Sequence, residues 1–422
     1  MTSLFDDLTW RQLITDSTDP EALRTALDGE GISFYVGFDP SAASLHVGNL
    51  LQLITARRLQ DRGHKPYLLV GGSTGLIGDP RQTSERNLNP KDIVDGWVER
   101  IGGQVERFLD HEGAASAVLV NNYEWTKDIS ALDFLRDYGK HFSVGRMLAR
   151  DVVKRRLEAG ISYTEFSYVI LQSLDFVELH RRYGVRLQHG GSDQWGNISS
   201  GAELVRKMVG ERVHGFTTPL ITKADGTKYG KSEEGPIWLD PEMTSPYSFH
   251  QFFLNAEDSM VISYLKAFTR RDPDEIAELE RSTAESPHLR AAQRALADDL
   301  TDLVHSETER RAATDAAAAL FGQGELQRLP AATLDAVARE LHAATVPSLD
   351  GVTVVDILVA AGVVASKSAA RRAIAEGGAS LNNVRLTSPD APVEAADLLP
   401  GGHLVARRGK KTVGMVTLGT AS

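Results

Sequence analysis

Apolar residues in this chain fall into short unbroken runs and into helical spacing, and the alternation of the two sets the expected architecture. Phe34 to Phe38 is a β-branched and aromatic run closed by Asp-Pro, which predicts a buried strand ending in a turn. Helical period begins at Leu50 and lasts to Leu59, so a helix opens directly after His46-Val47-Gly48-Asn49. Pro66 to Gly72, Ala117 to Val120 and Val185 to His189 predict further strands, whereas Lys91 to Leu109, Ala131 to Arg156 and Thr164 to Tyr183 predict helices. Residues 1 to 30 predict one or two amphipathic helices, with Asp19-Pro20 starting the second. Strands alternating with helices imply an α/β fold with a doubly wound, mostly parallel sheet and right-handed crossovers. Loops at the carboxyl ends of such strands gather on one edge, where helix amides and dipoles favour anionic groups.

Downstream the strands disappear. From Ser245 to Phe321, segments such as DEIAELERSTAES predict a compact α-helical domain. Residues 322–350, Ala-rich and broken by Pro, predict a linker carrying short helices. Val352 to Gly362 and Ser366 to Gly377 predict two short helices, followed by small strands in ASLNNVRL and HLVARRGKKTVGMVTL. The expected organisation is an α/β domain over 1–220, a loop segment over 221–244, a helical domain over 245–321, the linker, and a small α+β domain over 351–422.

Composition narrows what this chain can be. Its 422 residues, 42% apolar and 24% charged, suffice for two or three domains with full cores. The absence of cysteine excludes disulfide, zinc-thiolate and cysteine-nucleophile chemistry. No apolar run nears the roughly 18 residues that span a bilayer, and MTSLFDDLTWRQLI is acidic where a signal peptide is basic, so a cytoplasmic protein with no membrane partner is expected. A net charge of -11 argues against indiscriminate coating of nucleic acid. Yet Lys367, Arg371, Arg372, Arg385, Arg407, Arg408, Lys410 and Lys411 stand among only four acidic residues. A basic tail on an acidic chain is the electrostatic footprint of a phosphate backbone.

Candidate chemistry gathers at the strand ends. His46 can donate to a phosphate oxygen, Gly48 lets a flat group approach the backbone, and Asn49 offers a donor to a ribose or phosphate oxygen. The glycine-rich STGLIGDP with Asp79 follows the second strand and opens on the same edge. Tyr168, Gln172 and Asp175 share one face of an otherwise apolar helix. If buried they need partners, a ligand among them; the other reading is a face turned to water. After Gly190-Gly191 come Asp193 and Gln194 at the start of the helix that carries Glu203, Arg206 and Lys207; Asp193 is suited to hold the two hydroxyls of a ribose, or simply to cap that helix. Thr222 to Glu234, TKADGTKYGKSEE, predicts an exposed, mobile loop whose Lys228 and Lys231 can clamp phosphates as flexible point charges.

HVGN resembles the HIGH signature of class I aminoacyl-tRNA synthetases, KYGKS resembles their KMSKS loop, and SKSAARRAIAEGGASLNN resembles the S4 RNA-binding module. With VGGSTGLIGDP, the Tyr168/Gln172/Asp175 face and GGSDQWGN, in this order, the chain is similar to the bacterial tyrosyl-tRNA synthetase family along essentially its whole length. That resemblance implies a Rossmann-like catalytic domain, an anticodon-side helical domain and an S4-like RNA-binding tail. It implies that L-tyrosine and ATP form tyrosyl-adenylate, with Mg2+ carried on the ATP phosphates and no dedicated metal site, and that tyrosine then passes to the 3′ end of tRNA(Tyr). Tyr35 and Asp175 match the pair that grips the phenol oxygen, and Asp79, Tyr168 and Gln172 match the group that holds the ammonium. Asp39, Gln188 and Gln194 match the lining of the amino-acid and adenylate pocket. Gly37, Gly48, Asn49, Gly191, Asp193 and Ser232 match nucleotide contacts, while His46, Lys228 and Lys231 match the groups that stabilise the transferring phosphates.

KHFSVGRMLARDVVKRR, Lys140 to Arg156, resembles the segment used for both dimer contact and acceptor-stem binding. A homodimer is therefore implied, and Arg146, Arg150, Lys154 and Arg155 join Arg206, Lys207 and the basic tail as expected RNA contacts. Two positions depart from the family pattern: Val36 stands where many members place a side chain able to bond ribose, and Arg81-Gln82-Thr83 replaces a more lysine-rich stretch. Among rival readings, the tryptophan-specific relatives normally lack an S4 tail, and Tyr35 with Asp175 favours a phenol. A catalytically inactive RNA-binding paralogue would lack His46 or the loop lysines, and all three are present.

Overall fold

The computed structural model describes residues 3–80, 88–158, 160–232, 235–322, 324–409 and 412–419, with the backbone alone at Lys231 and Ser232. Arg81-Gln82-Thr83, Lys410 and Lys411 lie outside the described residues. The chain forms two compact units, residues 1–240 with 257–281 and residues 241–256 with 282–422. Among the described residues no helix is long and apolar enough to cross a membrane.

In the first unit the predicted doubly wound sheet is present. Five parallel strands, β1 (Ser33–Phe38), β2 (Lys65–Val70), β3 (Val118–Asn121), β4 (Leu187–Gly191) and β5 (His214–Thr218), lie in the order β3-β2-β1-β4-β5. The order reverses between β1 and β4, and such a reversal opens a crevice at the carboxyl ends of the strands. β1 pairs with β2 from Ser33/Lys65 to Phe38/Val70, but with β4 only at Phe34/Leu187 and Tyr35/Gln188, so the two strands part where the crevice begins. β1 is buried along most of its length, as expected where helices cover both faces of a parallel sheet; Gly37, near its end, is exposed, and Val36 is in the core.

Four helices position the crevice: α1 (Val47–Gln60), α2 (Lys91–Glu106), α3 (Tyr163–Tyr183) and α4 (Trp195–Val209). α3 starts where the Ser162 side chain accepts the Glu165 N–H, and it packs Leu174, Phe176, Val177 and Leu179 against Tyr35, Tyr67, Leu69, Val120 and Trp125. The continuous helix expected from Ala131 to Arg156 is absent. Ala131–Asp133, a π turn at Phe134–Tyr138, a 3-10 turn at Gly139–His141 and the short helices Val144–Leu148 and Asp151–Arg156 take its place. Phe142, Ser143 and Arg150 are extended, so the helical ladder stops twice. Gly139 and Gly145 lower the cost of leaving the helix, and Phe142, Ser143 and Val144 between them are only middling helix formers.

The second unit has helices at Pro246–Leu254, Ala291–Val304 and Glu307–Leu320, and a mixed sheet. Its strands β6 (Ala344–Val346), β7 (Ala379–Leu381), β8 (Val384–Arg385), β9 (His403–Arg408) and β10 (Thr412–Leu418) run in the order β8-β7-β9-β10-β6. The stretch 322–350, read as a linker, supplies a helix at Ala331–Glu340 and β6, which pairs parallel with β10. Three residues are too few to show a strand period.

Candidate active site

His46 is the N-cap of α1. Its ring Nδ1 accepts the Gly48 N–H at 3.0 Å, and its own backbone N–H donates to Asn49 Oδ1 at 3.1 Å, a reciprocal cap that ties the signature residues together. A neutral ring that accepts at Nδ1 carries its proton on Nε2, so His46 is prepared as a donor away from its own helix. Gly48 leaves the ring its place, because a Cβ would lie 2.8 Å from His46 Cε1 and push the imidazole aside. The cap occupies the Asn49 side-chain carbonyl, which leaves its amide nitrogen as the donor.

The lysine-bearing loop lies beside this helix start. Thr222 bridges Lys228, and Asp225 accepts from both the N–H and the hydroxyl of Thr227, closing a tight turn. Lys228 is exposed, but Tyr229 and Gly230 are buried, so the loop is not open throughout as its polar sequence predicted. The Tyr229 ring stacks on Tyr264 with centroids 4.2 Å apart, and the Tyr264 hydroxyl donates to Thr222 O at 2.7 Å. Gly230 (φ +97) rests against Val47, and the N–H of Ile237 donates to Gly230 O while that of Val47 donates to Ile237 O. Tyr264 is remote in sequence, which is why no local pattern revealed the anchor. The backbone of Lys231 and Ser232 continues into a short antiparallel pair with Gly235–Pro236.

Four strand ends and α3 build a buried polar pocket. Tyr168 and Asp175 do not face water, being 3% and 1% exposed, and Gln172 is half-buried with its Oε1 covered. Asp175 Oδ1 accepts from Trp125 Nε1 at 2.9 Å and Oδ2 from Asn122 Nδ2 at 3.0 Å. The Tyr35 hydroxyl is buried with no hydrogen-bond partner among the described residues, close enough for Asp175 to add to the effect of burial and hold the phenol well above its ordinary value. Burial likewise pushes Asp175 up to about 7 against the pull of its two donors.

Further along, Asp39, in the turn after β1, accepts the Tyr168 hydroxyl at Oδ2 and the Thr74 hydroxyl at Oδ1, both at 2.6 Å. Asp79 accepts from Gln194 Nε2 at 2.9 Å and from Asn197 Nδ2 at 3.2 Å, and burial raises it. Gln172 Oε1 and Gln188 Oε1 are buried acceptors with no partner among the described residues. An unsatisfied buried acceptor costs about 1–3 kcal/mol, so a pocket of three carboxylates and two such amide oxygens is matched to a cationic donor. The lone Tyr35 hydroxyl beside Asp175 is matched to a second hydroxyl.

Other expected site residues spread along the same edge. Asp193 is exposed and caps neither the 3-10 turn Ser192–Gln194, whose N-cap is Gly191, nor α4, whose N-cap is Gln194. The capping alternative therefore falls. Arg146, Lys154 and Arg155 are exposed, Arg206 pairs with Glu203, and Lys207 donates to the His141 carbonyl. Arg150 differs, being half-buried and turned onto Asn197. In the second unit Lys367 pairs with Asp356, Arg371 with Asp390, Arg407 donates to Asn383, and Arg372 and Arg408 are exposed. Sequence reasoning missed Thr74, Asn122, Trp125 and Asn197. Asn122 follows a predicted strand end, a signal that could have been used; Trp125 gave none.

Known proteins resemble this chain over nearly its whole length. Residues 27–322 match the model of the tRNA synthetases class I (W and Y), and residues 335–416 match the tyrosine–tRNA ligase SYY-like C-terminal domain. A tyrosine–tRNA ligase of Cutibacterium acnes is 60% identical over 417 residues, covering 99% of this chain and 100% of that one. One from Streptomyces coelicolor is 54% identical over 421 residues, covering 99% of each. Among solved structures, a C-terminally truncated mitochondrial tyrosyl-tRNA synthetase of Aspergillus nidulans superposes with a TM-score of 0.69 at 30% identity, covering 76% of this chain and 95% of that one.

Proposed function

The chain belongs to the class I tRNA synthetases of the tryptophan and tyrosine group, and from that membership we propose how it joins L-tyrosine to tRNA(Tyr) at the expense of ATP. In the first step a tyrosine carboxylate oxygen bonds to the α-phosphorus while the bond to the bridging oxygen breaks, and pyrophosphate leaves with the electron pair. In the second a ribose hydroxyl at the 3′ end of tRNA attacks the tyrosyl carbonyl carbon and AMP leaves. The nucleophilic carboxylate is already ionised, so positioning and charge stabilisation carry the first step rather than a strong base.

The observation that carries the choice of tyrosine is the Tyr35 hydroxyl, buried without a partner beside the Asp175 carboxylate. A phenol hydroxyl donates to Asp175 and accepts from Tyr35; an indole has no oxygen to accept. Asp79, Tyr168 and Gln172 hold the ammonium, with Asp39, Gln188 and Gln194 lining the rest. His46 Nε2, Lys228 and Lys231 stabilise charge on the transferring phosphates, and Gly37, Gly48, Asn49, Gly191, Asp193 and Ser232 meet the nucleotide. Mg2+ arrives on the ATP phosphates.

The basic residues of the second unit and of the segment around Arg146 and Lys154 meet tRNA. The chain around that segment exposes Leu132 (78%), Tyr163 (65%) and Val144 (61%), apolar side chains on which a second copy docks to form a homodimer. The reactions are those of the cytoplasm, where tRNA and ATP are at hand. Amino-acid-dependent exchange of pyrophosphate into ATP tests the reading, with tyrosine, phenylalanine and tryptophan supplied separately. Exchange is expected with tyrosine. Stimulation chiefly by tryptophan overturns the substrate, and stimulation by none overturns the activity.

A further inference from the structure

Arg150 matches an RNA contact by resemblance, but its surroundings assign it another task. It precedes the helix Asp151–Arg156 in an extended conformation, and its guanidinium folds back onto the start of α4, where Nη2 donates to Asn197 Oδ1 at 2.5 Å. Gly196 makes the room: a Cβ there would lie 3.2 Å from Nη2 and 3.3 Å from Nε. Asn197, 1% exposed, passes the contact on, donating through Nδ2 to Asp79 Oδ1 at 3.2 Å and to Gln194 Oε1 at 2.9 Å. Gln194 Nε2 completes the loop by donating to Asp79 Oδ2 at 2.9 Å.

The direction of this relay is decided at its Arg150 end. A side-chain amide can turn over with little change in shape, exchanging its donor for its acceptor. Guanidinium has donors only, so Asn197 must show it the oxygen and must turn the nitrogen to Asp79 and Gln194. Gln194, accepting from Asn197, is then left with its nitrogen for Asp79. Without the cation, either amide can present its oxygen to the carboxylate, and Asp79 loses a donor and gains a repulsive neighbour. Burial lowers the Arg150 guanidinium from its ordinary value, and Asp79 is the first of the groups that counter it.

We propose that Arg150 is a positioning residue of the amino-acid site, orienting the amides of Asn197 and Gln194 so that Asp79 is held to receive the substrate's ammonium. This rests on the reading of Asp79 as an ammonium ligand. It removes Arg150 from the RNA face and ties the segment that carries it to amino-acid selection.

The test uses the full chain with Arg150→Met, Arg150→Lys and Gly196→Ala, the last crowding the guanidinium without removing it. Pyrophosphate exchange is run without tRNA, with two competitive inhibitors: tyramine, which keeps the amine, and 3-(4-hydroxyphenyl)propionate, which lacks it. Arg150→Met is expected to raise the tyrosine KM and the tyramine Ki about tenfold, the worth of one charge-assisted contact, and Gly196→Ala, which crowds the guanidinium, to raise both by a smaller factor. The propionate Ki and the ATP KM stay at their parent values, and Arg150→Lys, still a donor-only cation, falls between. Equal weakening of both inhibitors overturns the proposal in favour of general damage to the pocket. Parent-like exchange with impaired tRNA charging overturns it in favour of an RNA contact. If the parent protein itself fails to distinguish the two inhibitors, the ammonium reading of Asp79 fails first, before any variant is compared.

Discussion

The Tyr168 hydroxyl donates to Asp39 Oδ2 at 2.6 Å, joining the second turn of α3 to the turn after β1 across 129 positions of sequence. The other Asp39 oxygen is held by Thr74, so a carboxylate at the mouth of the crevice is fixed by two hydroxyls from two different elements. Tyr168→Phe leaves the shape of the ring and removes one of them. Loss of one hydrogen bond to a charged group is worth about 1.5–3 kcal/mol. The tyrosine KM in pyrophosphate exchange is expected to rise by roughly tenfold or more with kcat nearly unchanged. An unaltered KM would show that this hydroxyl takes no part in holding the substrate.

Asp175 supplies a pH dependence whose sign is fixed by burial. Its carboxyl is raised from 3.8 to about 7 in the fold, so the folded chain binds the proton more tightly than the unfolded chain does. The stabilisation is full below 3.8 and is lost as pH rises through about 7. Asp175→Asn cannot titrate, and its urea midpoint, followed over this interval without ligands, should fall less with rising pH than the parent's. In the parent, kcat/KM for tyrosine should climb as pH passes 7, because the ionised carboxylate is the form that accepts the phenol; in Asp175→Asn that climb should vanish. A parent profile flat through neutrality would remove Asp175 from phenol recognition.

Gly48 and His46 offer a separation of stability from catalysis. Alanine is a better helix former than glycine by about 1 kcal/mol in a helix interior, and losing the His46 cap costs about as much, so Gly48→Ala at the start of α1 should leave the melting temperature nearly unchanged. The new methyl, however, would meet the imidazole at 2.8 Å and turn it from its cap. Turnover in pyrophosphate exchange should fall by about 10- to 100-fold, as when one oriented donor to developing charge is lost. A variant that melts as the parent does and turns over normally would mean that His46 need not be held as it is here.

How much was legible beforehand follows from range. The strand at Phe34 to Phe38, the helix ending at Tyr183 and the shared face of Tyr168, Gln172 and Asp175 are written in spacings of two to seven residues, and each is present. The stretch after Ala131 failed as a single helix because composition there is helix-compatible while its ladder is broken at Phe142, Ser143 and Arg150. The loop bearing Lys228 looked polar throughout because its anchor, Tyr264, belongs to another part of the chain.

By itself, then, the sequence determined the alternation of elements, the absence of thiol chemistry and the residue types at each strand end, all properties of near neighbours or of composition. Only the tertiary structure decided which of those residues meet: that Asp175 is held by Asn122 and Trp125, that Tyr35 keeps a buried hydroxyl beside it, and that Arg150 turns inward to Asn197. The reason is physical. A period along the chain specifies which way a side chain faces, but a hydrogen bond needs its two atoms within about 3 Å, and closing strands and helices into one crevice is what brings distant positions that near.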